Sequence, residues 1–244
     1  MRANLPGKLS LVIPCFNEAE SLPDLFKRLD ELKVSLHGLG ILDEYIIIDD
    51  GSIDTTWAML NQQYGSDNQV RLIRHVDNIG FGGALKTGLG LATGDIVVSV
   101  DADTNYDLRK IPDMLAYFKI GFDVVTASPF GRGGRWNYPL HRFLLSKGVA
   151  GLYRLALGKT VPPLSVYTCG FRAYRREALD LIMPEANDFL ATAEILVHAL
   201  LAGLCVAEMP VTVHKRVHGV SKMKLGKTAR RHLGFLWSLC QRPI

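Results

Sequence analysis

Short, continuous apolar runs alternate with longer amphipathic segments through the first half of this chain. The runs Tyr45–Ile48 and Ile96–Val100 are almost wholly apolar, whereas Glu18–Ser35 carries its leucines at helical spacing. Strands that are apolar on both faces are typical of parallel sheets covered by helices on both sides. The alternation therefore predicts an α/β fold with a mostly parallel sheet.

The same patterns predict the elements along the whole chain. Strands are expected at residues 9–13, 45–48, 70–75, 96–100, 123–127, 169–174 and 206–213. Helices are expected at residues 18–35, 54–64, 84–92, 107–120, 140–157, 175–182 and from 226 onward. The longest apolar stretch, Phe189–Ala207, is interrupted by Glu194 and His198. Because a bilayer span needs about 20 mostly apolar residues, this stretch is interpreted as a core helix that runs into a strand.

Length and composition limit the class of protein. With 244 residues and 48% hydrophobic residues, the chain can bury a large core, which excludes disordered, collagen-like and coiled-coil proteins. We expect one domain over residues 1–222 and a C-terminal basic amphipathic appendage over residues 223–244. The four cysteines form no CxxC pair, and the first residues include no apolar leader. The expected location is therefore the cytoplasm, with peripheral contact to the cytoplasmic face of the membrane and no spanning anchor.

The net charge of +4 conceals a strong segregation along the chain. Residues 1–123 hold 11 basic and 18 acidic residues, residues 124–176 hold 9 basic and no acidic ones, residues 177–208 hold 6 acidic and no basic ones, and residues 209–244 hold 8 basic and no acidic ones. Two basic blocks without acidic residues favour an anionic partner, although an ordinary solvated surface would give the same counts. Nucleic acid is not the expected partner, since the blocks alternate with acidic segments and include no nucleic-acid-binding motif.

Polar clusters follow three of the predicted strands. They are Pro14–Glu18, Asp49–Asp54 and Asp101–Asp103. In an open α/β sheet, ligands bind at the carboxyl ends of the strands, so these clusters should converge on one crevice. Two carboxylates at one strand end suit Mg²⁺ or Mn²⁺, while an aspartate-rich turn and helix capping by Ser52 or Asp54 remain alternatives.

A glycine-rich segment, Asn78–Lys86, follows the third strand and opens a helix. It is similar to a phosphate-binding loop but lacks both the GxxxxGK[ST] and the GxGxxG order. Close backbone packing at a helix start explains the glycines equally well. Three histidines, His75, His198 and His214, are isolated in the sequence and are interpreted as structural.

The order of the segments resembles the family 2 glycosyltransferases with a GT-A fold. Besides the three acidic clusters, Thr168–Tyr174 is similar to the TSGFR segment of that family, and Arg216–Lys222 is similar to the RxxGxSK loop of its polyprenyl-phosphate, dolichyl-phosphate mannosyltransferase-like branch. The resemblance runs from Leu9 to Lys222. It implies an inverting, metal-dependent enzyme that moves a hexose from GDP-mannose or UDP-glucose to a polyprenyl phosphate, dolichyl or undecaprenyl.

The resemblance also implies a role for individual residues. Donor binding is expected from Pro14, Phe16, Glu18, Asp50, Asp101 and Ala102. The expected ligands of Mg²⁺ or Mn²⁺ are Asp101, Asp103 and Asn105, where Asn105 stands in the place of a glutamine. The expected catalytic residues are Asp103, Arg172, Glu194 and Arg216. The acceptor phosphate is expected at Arg132, Arg135, Ser221 and Lys222, with Arg172 as a further bidentate clamp.

The chain departs from the family pattern in ways that bear on the acceptor. Val166 stands where the family often has an aspartate, Cys169 replaces the serine of TSGFR, and neither QxxRW nor the C-terminal membrane helices of many members are present. A hydroxyl nucleophile needs a general base, whereas a phosphate monoester with a second pKa of about 6 does not. The departures therefore favour a lipid phosphate as acceptor.

Two other functions remain open at this level. One is transfer to a saccharide hydroxyl with Glu194 as the base, although Glu194 is more simply a helix residue paired with an arginine. The other is a non-catalytic protein that binds sugar nucleotides. The basic tail with Leu233, Phe235, Leu236 and Trp237 fits an anionic lipid surface, but packing on the domain or on a second copy explains it nearly as well.

Overall fold

The computed structural model describes residues 7–131, 133–137, 140–159, 161–215 and 225–241, without the side chains of His141 and Leu225. The strands are β1 (Lys8–Cys15), β2 (Leu42–Asp49), β3 (Val70–Arg74), β4 (Ile96–Ser99), β5 (Val124–Ser128), β6 (Arg135–Trp136), β7 (Arg172–Arg175), β8 (Val206–Pro210) and β9 (Thr212–Val213). The helices are α1 (Leu22–Gly38), α2 (Thr56–Tyr64), α3 (Phe81–Leu91), α4 (Ile111–Lys119), α5 (Leu140–Leu157), α6 (Leu179–Ile182), α7 (Ala191–Leu201) and α8 (Leu225–Cys240).

Seven strands form one sheet in the order β3-β2-β1-β4-β7-β5-β8. The pairs β3-β2, β2-β1, β1-β4 and β5-β8 are parallel, and only β7 runs antiparallel to its neighbours β4 and β5. The predicted mostly parallel α/β sheet is therefore confirmed. A separate short ladder joins β6 to β9; β9 lies within the predicted strand at 206–213, whereas β6, with two residues, has no counterpart in the prediction.

Side chains alternate between two hydrophobic cores, one on each face of the sheet. Leu11 and Ile13 of β1 belong to the core under α1 and α4, whereas Val12 belongs to the core under α3 and α7. This alternation is the two-residue period of a strand, and it explains why residues 11–13 of β1 are apolar on both faces of the sheet.

The boundaries of several elements differ from those predicted. The predicted strand at residues 169–174 begins only at Arg172, and the predicted strand at 206–213 divides into β8 and β9. The predicted helix at 107–120 consists of a 3₁₀ turn at Leu108–Lys110 followed by α4. The apolar stretch at 189–207 is, as predicted, a helix followed by a strand, α7 and β8.

The C-terminal helix α8 packs on the domain beside α5. Leu236 and Leu239 are buried in the second core, and the Tyr153 hydroxyl lies 2.7 Å from Nδ1 of the buried His232. Arg231 forms an ion pair with Asp188 at 3.0 Å. None of the helices within the described residues is long and apolar enough to cross a membrane.

Candidate active site

The three polar clusters meet at one edge of the sheet, as expected. Strands β2, β1 and β4 are neighbours, and the register pairs Cys15 with Asp49 and Val12 with Ser99. The amide of Asp50 donates to the carbonyl of Cys15 at 2.8 Å. The loops after the three strands therefore form one crevice at their carboxyl ends.

The loop after β1 is bonded to the loop after β2. Asn17, in a left-handed conformation with φ 52°, accepts from the amide of Ile53 at 2.9 Å and donates its own amide to Ser52 Oγ at 2.9 Å. The amide of Glu18 donates to Thr56 Oγ1 at 2.9 Å. The sequence did not single out Asn17, although its position beside Phe16 and Glu18 in a strand-end cluster was a usable signal.

The predicted donor residues near β1 have different exposures. Pro14 is buried and Phe16 is half-buried. Glu18 is 9% exposed, and its Oε2 accepts from Ser21 Oγ at 3.1 Å. Asp54 was predicted to cap α2, but the N-cap is Thr55, whose side chain makes no capping bond; Asp54 Oδ1 accepts from the amide of Thr56 at 2.9 Å from one residue earlier.

Asp50 differs from its predicted role as a receptor for the donor base. Its buried carboxylate already accepts four hydrogen bonds, two on each oxygen. Oδ1 accepts from His75 Nδ1 at 2.7 Å and from the amide of Ile79 at 3.1 Å. Oδ2 accepts from Asn78 Nδ2 at 2.9 Å and from the amide of Gly80 at 2.8 Å. A carboxylate offers about four lone-pair positions, so Asp50 holds the loop before α3 in place and has no acceptor position left for a nucleobase.

His75 has the structural role that the sequence suggested, but it is not isolated, because its partners come from distant parts of the chain. Since a carboxylate only accepts hydrogen bonds, Nδ1 of His75 carries a proton towards Asp50. Its Nε2 lies 3.1 Å from Thr87 Oγ1 on α3. The imidazole thus connects the end of β3 to the end of β2 and to α3. Its position directly after a predicted strand was the only signal in the sequence.

The glycine-rich segment is a packing feature and not a phosphate loop. A Cβ atom on Gly82 would lie 2.5 Å from the carbonyl oxygen of Ala186. Gly80 has φ 99°, and a Cβ there would lie 2.4 Å from the carbonyl oxygen of Asn187. The amides at the start of α3 are also engaged by Asp50. Close backbone packing therefore explains these glycines, and Lys86, whose Nζ donates to the carbonyl of Glu185, belongs to the same contact.

Asp101, Asp103 and Asn105 form a polar corner at the end of β4. The Asn105 side chain and backbone amide both donate to the Asp103 carboxylate. Thr104, with φ 55°, makes the tight turn that brings Asn105 back to Asp103. Asn105 Oδ1 is buried and has no hydrogen-bond partner among the described residues. An orphaned amide oxygen beside two carboxylates fits the oxygen ligands that Mg²⁺ and Mn²⁺ take.

This corner alone does not complete a coordination sphere. The described residues contain no group of three or more His, Cys, Asp and Glu side chains that could hold a metal. Within the described residues the remaining coordination positions are left open, and a bound anion or water would suit them. His214, interpreted from the sequence as structural, is exposed beside this corner, and its amide donates to the carbonyl of Asn105 at 2.9 Å.

The side chains next to the corner are chemically inert. Ala102 is buried. Burial raises the pKa of the Cys169 thiol to about 11, and its Sγ lies 3.3 Å from the hydroxyl of Tyr106. Burial likewise raises the pKa of Tyr106, and the nearby Cys169 and Asp101 raise it further. Both groups stay protonated near neutral pH, so neither supplies a nucleophile or a base.

Arg172 does not face the crevice, which corrects its prediction as a catalytic residue and phosphate clamp. The side chain is fully buried. Its guanidinium donates to the carbonyls of Thr192 at 2.8 Å, Cys169 at 3.0 Å and Tyr167 at 3.5 Å. A guanidinium that is shielded from solvent and directed at backbone carbonyls cannot clamp an incoming phosphate without leaving these partners.

Glu194 does not have the position expected of a general base for a hydroxyl acceptor. It is buried in the first turn of α7, and its Oε2 accepts from the amide of Ala186 at 2.8 Å. Val166 stands where the family often has an aspartate, and the carboxylate that contacts its backbone is that of Glu208. Its Oε1 accepts from the amides of Ser165 and Val166 at 2.9 and 3.1 Å.

The predicted acceptor side is only partly within the described residues. Arg135 is exposed on β6, where its amide donates to the carbonyl of Val211 at 3.1 Å. Next to it, Phe130 stacks on Trp136 and Phe143 packs edge-on against both rings, while Lys147 Nζ lies 4.3 Å from the Phe130 ring centre. The remaining predicted residues lie outside the described ranges: Arg132, Arg216, Ser221 and Lys222.

Three proteins of known name are similar in sequence. The chain is 34% identical over 233 residues to the dolichol-phosphate mannosyltransferase of Pyrococcus furiosus, a match that covers 95% of this chain and 63% of that protein. It is 30% identical to the polyprenol monophosphomannose synthase of Mycolicibacterium smegmatis, covering 87% and 80% of the two chains. It is 34% identical to the undecaprenyl-phosphate 4-deoxy-4-formamido-L-arabinose transferase of Proteus mirabilis, covering 98% and 69%. The chain thus spans less than two thirds of the length of the Pyrococcus protein.

Solved structures show the same fold. Glucosyl-3-phosphoglycerate synthase from Mycobacterium tuberculosis, in complex with Mn²⁺, UDP and glucosyl-3-phosphoglycerate, superposes with a TM-score of 0.72 at 22% identity, covering 97% of this chain and 81% of that one. The complex of that synthase with Mg²⁺ and UDP gives 0.71 at 21% identity, covering 97% and 80%. The expected GT-A-like architecture is confirmed by these likenesses. Because residues 10–182 also match the family model described as Glycosyl transferase family 2, the chain belongs to that family.

Proposed function

We propose that this protein transfers a hexose from a nucleoside diphosphate sugar to a polyprenyl phosphate, with inversion at the sugar carbon. The observation that carries the proposal is the corner of Asp101, Asp103 and the orphaned Asn105 Oδ1 at the shared strand edge. The relatives named for dolichol, polyprenol and undecaprenyl phosphate support the acceptor class.

The donor would lie in the crevice over β2, β1 and β4. Phe16 and Glu18 line the loop after β1, where the nucleoside would bind. Since the Asp50 carboxylate is fully engaged, this aspartate supports the pocket by holding residues 78–80 and does not read the base. GDP-mannose and UDP-glucose are both compatible with this arrangement.

Asp101, Asp103 and Asn105 would hold Mg²⁺ or Mn²⁺ against the diphosphate of the donor. A divalent cation there supplies electrostatic stabilisation as negative charge grows on the departing nucleoside diphosphate. The protein contributes the orientation of its ligands: Asn105 fixes the Asp103 carboxylate through two hydrogen bonds. Arg216, Ser221 and Lys222, which lie outside the described residues, would bind the diphosphate and the acceptor phosphate.

A phosphate acceptor agrees with what is found at Glu194, the residue predicted as general base, and at Val166, where the family often has an aspartate. Glu194 is buried and engaged with Ala186, and Val166 carries no ionisable group. A phosphate monoester is largely dianionic at pH 7 and attacks without losing a proton to the enzyme. Arg135 on β6, together with Arg132 three residues earlier in the sequence, would bind this phosphate. Transfer to a saccharide hydroxyl gains no support from the position of Glu194.

The acceptor lipid implies contact with a membrane surface. Seven exposed apolar residues on the neighbouring helices α5 and α8 form what we call the α5/α8 apolar surface: Leu140, Leu144, Leu145, Leu152, Leu155, Leu233 and Trp237. Both helices carry arginine and lysine and no acidic residue. Apolar side chains among basic ones suit the interface of an anionic bilayer, where the protein would sit on the cytoplasmic face.

The test is a transfer assay with the full chain. Radiolabelled GDP-mannose and UDP-glucose are each incubated with undecaprenyl or dolichyl phosphate and Mg²⁺ or Mn²⁺, and butanol-extractable label is measured. We expect label with one donor, and a loss of about 100-fold or more in Asp103→Asn, because one carboxylate ligand and its charge are removed. Glu194→Gln is the matched variant and should retain turnover.

Two results would contradict the proposal. Label that appears only with a saccharide acceptor and disappears in Glu194→Gln would assign the hydroxyl chemistry. Tight binding of a sugar nucleotide without transfer to any acceptor of either class would assign a non-catalytic binding protein.

A further inference from the structure

Arg172 has the largest side chain that is completely buried in this protein. It lies on β7, the antiparallel strand between β4 and β5. No carboxylate among the described residues lies within ion-pair distance of its guanidinium. Burying a guanidinium without a counter-ion costs stability that an apolar side chain of similar volume would not cost. The arginine must therefore supply something other than packing.

The guanidinium ties two separate segments together. Nη1 donates to the carbonyl of Thr192 in the first turn of α7, and Nη2 donates to the carbonyls of Tyr167 and Cys169 in the segment before β7. These three bonds need donors that diverge from one planar group, which a guanidinium provides and a single ammonium does not. Arg172 thus fixes the path of the backbone up to Cys169.

The next residue along that backbone, Gly170, lies against the carboxylate of Asp101. A Cβ atom on Gly170 would lie 2.6 Å from Asp101 Oδ1 and 2.8 Å from Oδ2. On the other side, the carbonyl of Gly170 accepts from Ser99 Oγ at 2.7 Å. The Cys169–Gly170 backbone is therefore held by Arg172 and by Ser99, and it forms the wall that limits where the Asp101 carboxylate can lie.

We infer that Arg172 is a positioning residue for the metal ligand Asp101, acting through the backbone of Cys169 and Gly170. The inference rests on the proposed function, since it takes Asp101 as a ligand of the divalent cation. Partners that orient a metal ligand typically contribute about 10- to 100-fold to metal affinity. Arg172 would thus set the affinity for the cation without touching the cation or either substrate.

Arg175 on the same strand provides a matched control. It too donates to backbone carbonyls, those of Phe118 and Phe122, and it pairs with Asp123 at 3.4 Å. In the register of β7 with β4, Arg175 pairs with Ile96, whereas Arg172 pairs with Ser99 at the end that leads to Asp101. Replacing either arginine removes comparable bonds, but only Arg172 holds the wall beside Asp101.

The experiment measures binding of Mn²⁺ to the full chain with UDP or GDP present, from the electron paramagnetic resonance signal of free Mn²⁺, without any turnover. We expect Arg172→Lys to raise the Kd for Mn²⁺ by about tenfold or more and Arg175→Lys to change it less than about twofold. Arg172→Gln, which keeps part of the hydrogen bonding without a buried charge, serves if the lysine variant does not fold. Gly170→Ala should reproduce the weakened binding with Arg172 intact, because its new Cβ displaces Asp101.

The outcomes separate this inference from the proposed function. If the wild-type chain binds Mn²⁺ no better than Asp103→Asn, the metal site of the proposed function is wrong. If the wild type binds Mn²⁺ and folded Arg172→Lys or Arg172→Gln binds it as tightly as Arg175→Lys does, the positioning role of Arg172 is refuted. The positioning role is supported if the Arg172 variants bind Mn²⁺ more weakly than the wild type while Arg175→Lys binds it nearly as tightly as the wild type.

Discussion

At the scale of single residues, hydrogen-bond capacity decides what each polar side chain at the strand ends can do. Asp50 and Asn105 belong to similar polar clusters, yet all acceptor positions of Asp50 are filled from within the protein, while Asn105 Oδ1 is left without a partner among the described residues. A saturated carboxylate stabilises the fold, and an orphaned oxygen is available to a ligand. The sequence alone could not distinguish the two, because both follow an apolar strand.

Asp50→Asn should destabilise the protein more than it weakens nucleotide binding in the fraction that remains folded. The amide replaces two acceptor positions by donors that face His75, Asn78 or backbone amides, so we expect a loss of about 3 kcal/mol. Urea unfolding measures the loss, and calorimetry with UDP and GDP measures the affinity. Asp54→Asn, at the exposed start of α2, is the control and should cost about 1 kcal/mol or less. An unchanged stability with lost nucleotide affinity would restore Asp50 to the role of a base receptor.

At the scale of elements, the contact of α8 with the domain includes one buried histidine beside its apolar residues and the Arg231–Asp188 ion pair. His232 is 5% exposed, lies 2.7 Å from the Tyr153 hydroxyl and packs edge-on against that ring at 5.8 Å. Burial lowers the pKa of His232, while Asp188 opposes that shift.

The stability of the protein should therefore fall as the pH drops below about 6.5, the ordinary pKa of histidine. Below that value the unfolded chain binds a proton that the folded chain resists, so the loss grows until the pH reaches the lowered pKa of folded His232. His232→Phe should be less stable than the wild type at pH 7.5 by about 1 to 2 kcal/mol, because Tyr153 loses its partner. Its stability should also change less between pH 7.5 and 5.5, as measured by urea unfolding.

Tyr153→Phe serves as the comparison for that experiment. It removes the same hydrogen bond but keeps the titrating histidine, so its pH dependence should remain close to that of the wild type. If His232→Phe keeps the full pH dependence of the wild type, other groups are responsible for it and the docking of α8 does not respond to pH.

At the scale of the whole molecule, charge and apolar surface are arranged around the crevice. Asp101 and Asp103 belong to the acidic first block, and the helices with exposed leucines belong to the two basic blocks. Single exposed apolar residues are common on protein surfaces, whereas large contiguous apolar patches mark interaction sites. In the proposed function, the donor binds at the carboxyl ends of β2, β1 and β4, and the lipid lies beside α5 and α8.

Substitutions in the α5/α8 apolar surface should weaken binding to anionic vesicles. We expect Leu155→Gln combined with Trp237→Gln to lower partitioning onto phosphatidylglycerol vesicles by about tenfold or more, because two side chains lose their apolar burial. Sedimentation with vesicles measures the effect. Val34→Gln combined with Ile120→Gln, at exposed apolar positions of other elements, should change little. If the Leu155→Gln, Trp237→Gln variant partitions onto vesicles like the wild type, the surface does not bind lipid. If the wild type is a dimer and this variant is a monomer, the surface is a protein contact.

The sequence by itself determined the architecture and the place of the site. Periodicity predicted the parallel strands because both faces of the sheet are buried, and strand ends predicted the crevice because parallel strands carry their carboxyl ends to one edge. The antiparallel course of β7 was not predictable, since apolar periodicity carries no strand direction. Neither was the short β6-β9 ladder, because two-residue strands leave no periodicity to detect.

Only the tertiary structure decided which side chains remain free for a ligand. Arg172 looked like a phosphate clamp, but its partners Tyr167, Cys169 and Thr192 surround it only when β7 and α7 pack together. Asp50 looked like a base receptor until His75, distant by 25 residues, filled its carboxylate. The residue types at a site follow from local sequence, whereas the hydrogen-bond capacity left at each depends on contacts that form only in the packed fold.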